Sequence, residues 1–240
     1  MAEPRSTLLA IVPALNEEAT LADVVKAIVT DLDADVVVID DGSRDATGSV
    51  ARSSGAVVLR HPFNLGVGAA LRTGFRYAIA SGYDVVVQVD ADGQHDTAAA
   101  SLLVEAVTTG GADVAVGTRF GADYRVSRVR RFSMRVLSRL VSRRIGTTVS
   151  DTTSGFRAFS HEAALRFASS YPTQYLSDTV EALLLAHDQG LRVVEVPVRM
   201  RERMGGQASS GRFKSVYHLV RLVLVISLHR FRRPRSGVAA

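Results

Sequence analysis

The 240-residue chain has no cysteine, no tryptophan and only six prolines. Lysine is confined to Lys26 and Lys214, so the 29 basic residues are almost all arginine. The missing cysteines exclude disulfides, thiolate zinc sites and cysteine nucleophiles, and they are compatible with a reducing compartment. Long apolar runs are missing too. A membrane-spanning helix needs about 20 nearly uninterrupted apolar residues, and the best candidate, Val216 to Leu228, is short and carries His218 and Arg221. The polar segment Met1–Thr7 leads straight into a strand-like run, so neither a signal peptide nor a membrane span is expected. Aromatics make up 6% of the chain, which leaves few stacking platforms for nucleic-acid bases.

What is present is apolar and basic. The hydrophobic content is 47%, the formal net charge is +5 and the pI is about 9.9. That is enough apolar material for one full-sized core, and one α/β domain with short additions is the natural expectation. An arginine bias also follows from a GC-rich genome, so the placement of the charge says more than its total.

Valine- and isoleucine-rich runs alternate with helical patterns. Strands are predicted at Leu8–Val12, Val36–Ile39, Val57–Leu59, Val85–Val89, Val114–Val116 and Val193–Val198. Helices are predicted near Leu21–Asp31, Asp45–Ser54, Gly68–Ala80, Ala98–Val107, Ser127–Arg144, Asp178–Gln189 and Phe213–Phe231. Apolar strands separated by helices imply a mostly parallel sheet covered on both faces, a doubly wound architecture that binds ligands beyond the carboxyl ends of its strands. Those ends read Pro13-Ala14-Leu15-Asn16-Glu17, Asp40-Asp41-Gly42-Ser43 and Asp90-Ala91-Asp92-Gly93-Gln94. Polar, mostly acidic clusters facing one crevice point to a nucleotide and a cation.

Asp90 and Asp92 stand at i and i+2 beyond a strand, which turns both carboxylates to one side. Gln94 adds a carbonyl oxygen if the chain stays extended. An all-oxygen set suits Mg²⁺ or Mn²⁺ with positions open to diphosphate oxygens; the alternative is an acidic turn after a buried strand. Asn64-Leu65-Gly66-Val67-Gly68 opens a helix whose amides could face an anion, or else its glycines permit close packing. It is neither a dinucleotide fingerprint nor a Walker loop. Arg131, Arg135 and Arg139 share one helix face, with Phe132, Val136 and Leu140 beside it. That face is either solvated or turned to phosphates and anionic head groups. His61, His95 and His161 lack metal-ligand spacing and read as loop or surface residues.

With these motifs in place, the chain resembles the family 2 glycosyltransferases, and within them the dolichyl- and polyprenyl-phosphate sugar synthases. The resemblance is carried in order by Val12-Pro13-Ala14-Leu15-Asn16-Glu17-Glu18, Asp40-Asp41-Gly42-Ser43, Asp90-Ala91-Asp92-Gly93-Gln94-His95, Gly117-Thr118-Arg119-Phe120, Ser154-Gly155-Phe156-Arg157-Ala158-Phe159 and Glu195-Val196-Pro197-Val198. It implies a GT-A fold, a GDP- or UDP-sugar donor and inversion at the anomeric carbon. By position, Pro13, Ala14, Asn16, Glu17, Ile39 and Asp41 would hold base and ribose, and Asp90, Ala91, Asp92 and Gln94 the metal and diphosphate. Arg119 and one of Arg130 or Arg131 would hold the acceptor phosphate, and Arg203 the donor diphosphate. Mannosyl-type members place a Gly-x-Ser-Lys pattern after the late arginine. Here the chain reads Arg203-Met204-Gly205-Gly206-Gln207-Ala208-Ser209, without that lysine, which counts against GDP-mannose.

The resemblance also divides the chain into a catalytic domain over residues 1–211, with a nucleotide-sugar half (1–117) and an acceptor half (118–211), and a basic amphipathic tail over 212–240. In the tail, Lys214, His218 and Arg221 lie opposite Leu219, Leu222, Val223 and Ile226. Such a helix can lie on an anionic membrane or pack on the domain's own core. The expected location is cytoplasmic and peripheral at the inner membrane face, with polyprenyl phosphate as the acceptor. A lipid phosphate needs no deprotonation, since its second pKa is about 6. A hydroxyl acceptor would need a base such as Asp151 or Asp178. A nucleotidyltransferase is disfavoured because the first loop, Pro13–Glu18, has no basic residue. Binding of nucleic acid is not expected, because acidic strand ends repel phosphate unless metal-loaded.

Overall fold

The computed structural model describes residues 7–119, 128–152, 154–173 and 178–198, with backbone alone at Arg119, 128–134 and Asp178. It is an α/β fold built on one seven-stranded sheet. The strands are β1 (Leu8–Ala14), β2 (Asp35–Asp40), β3 (Val57–Arg60), β4 (Val85–Gln88), β5 (Val114–Arg119), β6 (Arg157–Ser160) and β7 (Val193–Val198). Their order across the sheet is β3-β2-β1-β4-β6-β5-β7. All neighbouring pairs are parallel except those of β6, which runs antiparallel to both β4 and β5.

The helices are α1 (Leu21–Leu32), α2 (Thr47–Ser53), α3 (Val67–Ser81), α4 (Ala100–Thr108), α5 (Arg128–Ile145), α6 (His161–Ser170) and α7 (Asp178–Asp188). Successive side chains of a strand point to opposite faces, and β1 shows the result. Leu9 and Ile11 join a core with Leu71 and Phe75 of α3, Val141 of α5, Phe167 of α6 and Leu184 of α7. Ala10 and Val12 join a second core with Val25 and Ile28 of α1 and Leu103 of α4. Both faces are therefore covered, which is why these strands read as unbroken apolar runs.

The structure adds to these expectations. Strand β6 and helix α6 were not predicted; four residues that include a buried arginine do not look like a strand. Arg157 is 1% exposed, and its guanidinium donates to the carbonyls of Ser154 and Thr179, which satisfies it inside the protein. In α5 the buried stripe is Leu137, Val141 and Ile145, while Val136 and Leu140, beside the arginine face, are half-buried. Arg135 and Arg139 are exposed, a solvated basic face. His61 and His95 lie in the loops after β3 and β4, as expected, but are buried there, while His161 is exposed. Among the described residues no helix is long and apolar enough to cross a membrane. The predicted Phe213–Phe231 helix lies outside the described residues.

Candidate active site

Strand β1 lies between β2 and β4, so the loop after it adjoins the carboxyl ends of both. In that loop Asn16 takes a left-handed conformation (φ 57°), which asparagine tolerates better than most residues. Its N–H donates to Ser43 Oγ at 3.0 Å, and its Oδ1 accepts from Arg44 N–H at 2.9 Å. The Glu17 N–H donates to Thr47 Oγ1 at 2.9 Å. Thr20 Oγ1 donates to the carbonyl of Ala91 at 2.7 Å, tying this loop to the turn after β4.

Beyond β2, the carboxylates are consumed by the protein itself. Asp40 is fully buried; its Oδ1 accepts from Ser43 N–H at 2.8 Å, and its Oδ2 faces Arg60 Nε at 3.4 Å. Asp41 is 4% exposed and accepts from Leu65 N–H and Gly66 N–H at 2.9 and 2.8 Å. It also meets His61 Nδ1 at 2.7 Å, while His61 Nε2 lies 2.9 Å from Thr73 Oγ1. Asp41, an internal anion, thus takes the amides of Leu65 and Gly66 just before α3. Gly68 serves close packing, since a Cβ there would lie 2.0 Å from the Pro172 carbonyl oxygen. Ile39 is fully buried in the core, so its side chain offers no surface to a base or ribose.

The turn after β4 is different. The Asp90 side chain is 40% exposed, and Asp92 and Gln94 are half-buried. Strand β4 stops at Gln88, and Gly93 turns the chain at φ 73°. Asp92 Oδ1 accepts from Gln94 N–H at 3.0 Å. The chain therefore does not stay extended, and the alternation argument for bringing Gln94 beside the two carboxylates fails. Asp90 and Asp92 themselves sit within one turn with oxygen to offer solvent. No group of three or more His, Cys, Asp or Glu gathers as a metal site among the described residues. Two carboxylates fit a hard cation that takes its remaining ligands from water and diphosphate.

A pocket of about 530 Å³ opens beside these loops, lined by Leu15, Asn16, Arg44, Arg60, Phe63 and Asn64 among others. Its apolar rim is unusual for a surface, with Phe63 63% exposed and Leu15 37%. Of the nucleotide residues expected from the sequence, Asn16 lines it. Arg44, Arg60 and Phe63 were missed; two arginines beside acidic strand ends were the available signal. Asp45, near its mouth, is pushed up by burial, but hydrogen bonds from the Thr47 hydroxyl and from nearby amides outweigh this and hold its carboxyl below the ordinary range.

The acceptor side is less fully described. Arg119 ends β5, paired in register with Val198 of β7, and Arg131 and Arg130 lie in the first turns of α5. Arg203 lies outside the described residues. Asp151 is 7% exposed, and its N–H donates to Glu195 Oε1 at 3.1 Å.

Comparison with known proteins agrees with this arrangement. The family model described as glycosyl transferase family 2 matches residues 9–166. The polyprenol monophosphomannose synthase of Mycolicibacterium smegmatis is 31% identical over 220 residues, covering 87% of this chain and 83% of that protein. The undecaprenyl-phosphate mannosyltransferase of Micrococcus luteus is 30% identical over 219 residues, covering 84% and 86%. Among solved structures, glucosyl-3-phosphoglycerate synthase from Mycobacterium tuberculosis, in complex with Mn²⁺, UDP and glucosyl-3-phosphoglycerate, superposes with a TM-score of 0.72. It is 27% identical and covers 98% of this chain and 83% of that one.

Proposed function

The chain belongs to glycosyl transferase family 2, and from that premise we propose that it transfers a sugar from a nucleoside diphosphate to polyprenyl phosphate at a membrane surface. The observation that carries the reading is the contrast at the sheet's carboxyl edge. Beyond β2 the carboxylates of Asp40 and Asp41 are buried, whereas in the turn after β4 the Asp90 side chain is 40% exposed, beside the loop after β1. The nucleoside would lie in the pocket edged by Leu15, Asn16 and Phe63, its diphosphate directed to Asp90 and Asp92. Mg²⁺ or Mn²⁺ held by these two carboxylates would stabilise charge on the departing diphosphate. Both ions occur with UDP in related solved structures.

The acceptor reading is supported by relatives named for polyprenol and undecaprenyl phosphate and by chemistry. A phosphate is already anionic near neutral pH and needs aiming rather than deprotonation. Arg119 and Arg131 would supply the bidentate contacts that aim it, and Arg203 would hold the donor diphosphate. A hydroxyl acceptor would require a base, and Asp151 is almost entirely covered. The second reading, a small soluble acceptor, is favoured by the likeness to glucosyl-3-phosphoglycerate synthase. The test is incubation with a panel of GDP- and UDP-sugars, Mn²⁺, and either polyprenyl phosphate or 3-phosphoglycerate, followed by mass spectrometry. A glycosylated lipid phosphate is the expected product; sugar transferred only to the soluble acid would replace this reading with the second.

A further inference from the structure

We propose that His95 is a positioning residue that aims the carboxylate of Asp90, an inference that rests on the metal and diphosphate reading of Asp90 and Asp92. A carboxylate at the end of a short side chain rotates in a broad, shallow well. An open one needs outside partners to hold the direction a cation requires, and such partners are part of how a metal site works.

Asp90 has them on several sides. Its N–H donates to His95 Nδ1 at 3.0 Å. The acceptor role at Nδ1 places the ring proton on Nε2, which faces Asp90 Oδ2 at 3.5 Å. From below, Gln88 Nε2 donates to Asp90 Oδ1 at 3.3 Å. Behind it runs the backbone of Gly155, where a Cβ would come within 3.1 Å of both Asp90 Oδ2 and Gln88 Nε2. No larger residue fits there without displacing the carboxylate.

The imidazole is itself fixed. Its side chain is 3% exposed, and it stacks on Phe156 with ring centroids 4.4 Å apart and planes 22° from parallel. Phe156 is fully buried and immediately precedes β6. The antiparallel strand thus does more than fill the sheet between β4 and β5. Through Gly155, Phe156 and His95 it sets where the Asp90 oxygens point, which ties the aim of the donor-side carboxylate to the second half of the chain. A histidine that merely filled core volume would be indifferent to the cation.

Mn²⁺ binding with UDP or GDP, followed by loss of the free-ion electron paramagnetic resonance signal, separates the two roles without any turnover. His95→Leu keeps apolar bulk on Phe156 but has no acceptor for the Asp90 N–H. It should weaken Mn²⁺ affinity by about 10-fold. His95→Asn offers an oxygen near the place of Nδ1 and should recover most of that loss. Phe156→Leu removes the stack, leaves both ring nitrogens, and should weaken binding less than His95→Leu; it carries the test if His95→Leu does not fold by circular dichroism. Wild-type affinity in the folded His95→Leu and Phe156→Leu proteins, while Asp92→Ala fails to bind, overturns the proposal and leaves the metal reading standing. Wild-type affinity in Asp92→Ala contradicts the metal reading, and the role of His95 falls with it.

Discussion

Asp40-Asp41 and Asp90-Ala91-Asp92 look alike in the sequence, as acidic clusters at the carboxyl ends of strands that flank β1, yet the structure gives them opposite surroundings. The first pair is sealed: Asp40 and Asp41 are at most 4% exposed, and their oxygens face Ser43, Arg60, His61, Leu65 and Gly66. The second pair is open, with 40% of the Asp90 side chain exposed. Burying a carboxylate is tolerable only when it is paired and hydrogen-bonded, so the first pair holds loops in place. An exposed carboxylate held from behind keeps lone pairs for a ligand. The same residue type at the same topological position is therefore sealed inside the protein in one place and reaches solvent in the other.

The contrast breaks most visibly under substitution. Asp92→Ala should lose on the order of 10²-fold in turnover with an unchanged melting temperature; a large drop in melting temperature would place Asp92 with the structural pair. Asp41→Ala should do the reverse. Removing one partner of a buried, hydrogen-bonded charge costs about 3–5 kcal/mol, and for a chain of this size the midpoint of thermal unfolding should fall by about 10 °C. A folded Asp41→Ala protein of normal stability that has lost nucleotide binding would show that Asp41 serves the ligand directly.

Gly68→Ala sharpens the same contrast at the start of α3. Its Cβ would press on the Pro172 carbonyl, and overpacking of this kind costs about 1–3 kcal/mol, readable in urea unfolding. No cost would mean that the turn at residues 64–68 is free to serve a ligand. The smallest effect belongs to Asp45. Because its carboxyl is held below the ordinary range in the folded chain, its charge adds stability above the unfolded value of about 3.9. That stability is lost as pH falls through the lower folded value. Asp45→Asn should therefore be slightly less stable than wild type at pH 7 and equal to it in strong acid, as measured by denaturant midpoints across that range.

How much of this was legible depended on burial. Strands β1, β2, β4 and β5 announced themselves because both faces are covered, which demands unbroken apolar runs such as Val36–Ile39. The same pattern placed Asp90 and Asp92 just beyond the carboxyl end of β4, where the structure has them. Strand β6 was hidden because it is four residues long and begins with Arg157, a charge satisfied by the nearby Ser154 carbonyl and by that of Thr179, which is distant in sequence. His61 and His95 were read as loop or surface residues, and their burial within those loops was missed for a related reason. What permits their burial is a partner from elsewhere in the chain, Thr73 and Asp41 for one and Phe156 for the other, and no local periodicity records such partners. The turn at Gly93 defeated the argument for Gln94 because a glycine does not reveal which way it will turn. Arg203 and the terminal helix lie outside the described residues, and for Arg119 and Arg131 only the backbone is described, so their roles rest on the proposal above.

The most direct measurement compares polyprenyl phosphate with the corresponding polyprenol as acceptors, using a radiolabelled nucleotide-sugar that is turned over, with Mn²⁺ and with excess EDTA. The account predicts sugar on the lipid phosphate only, and none once the metal is chelated. Equal transfer to the alcohol, or full activity in EDTA, would contradict it.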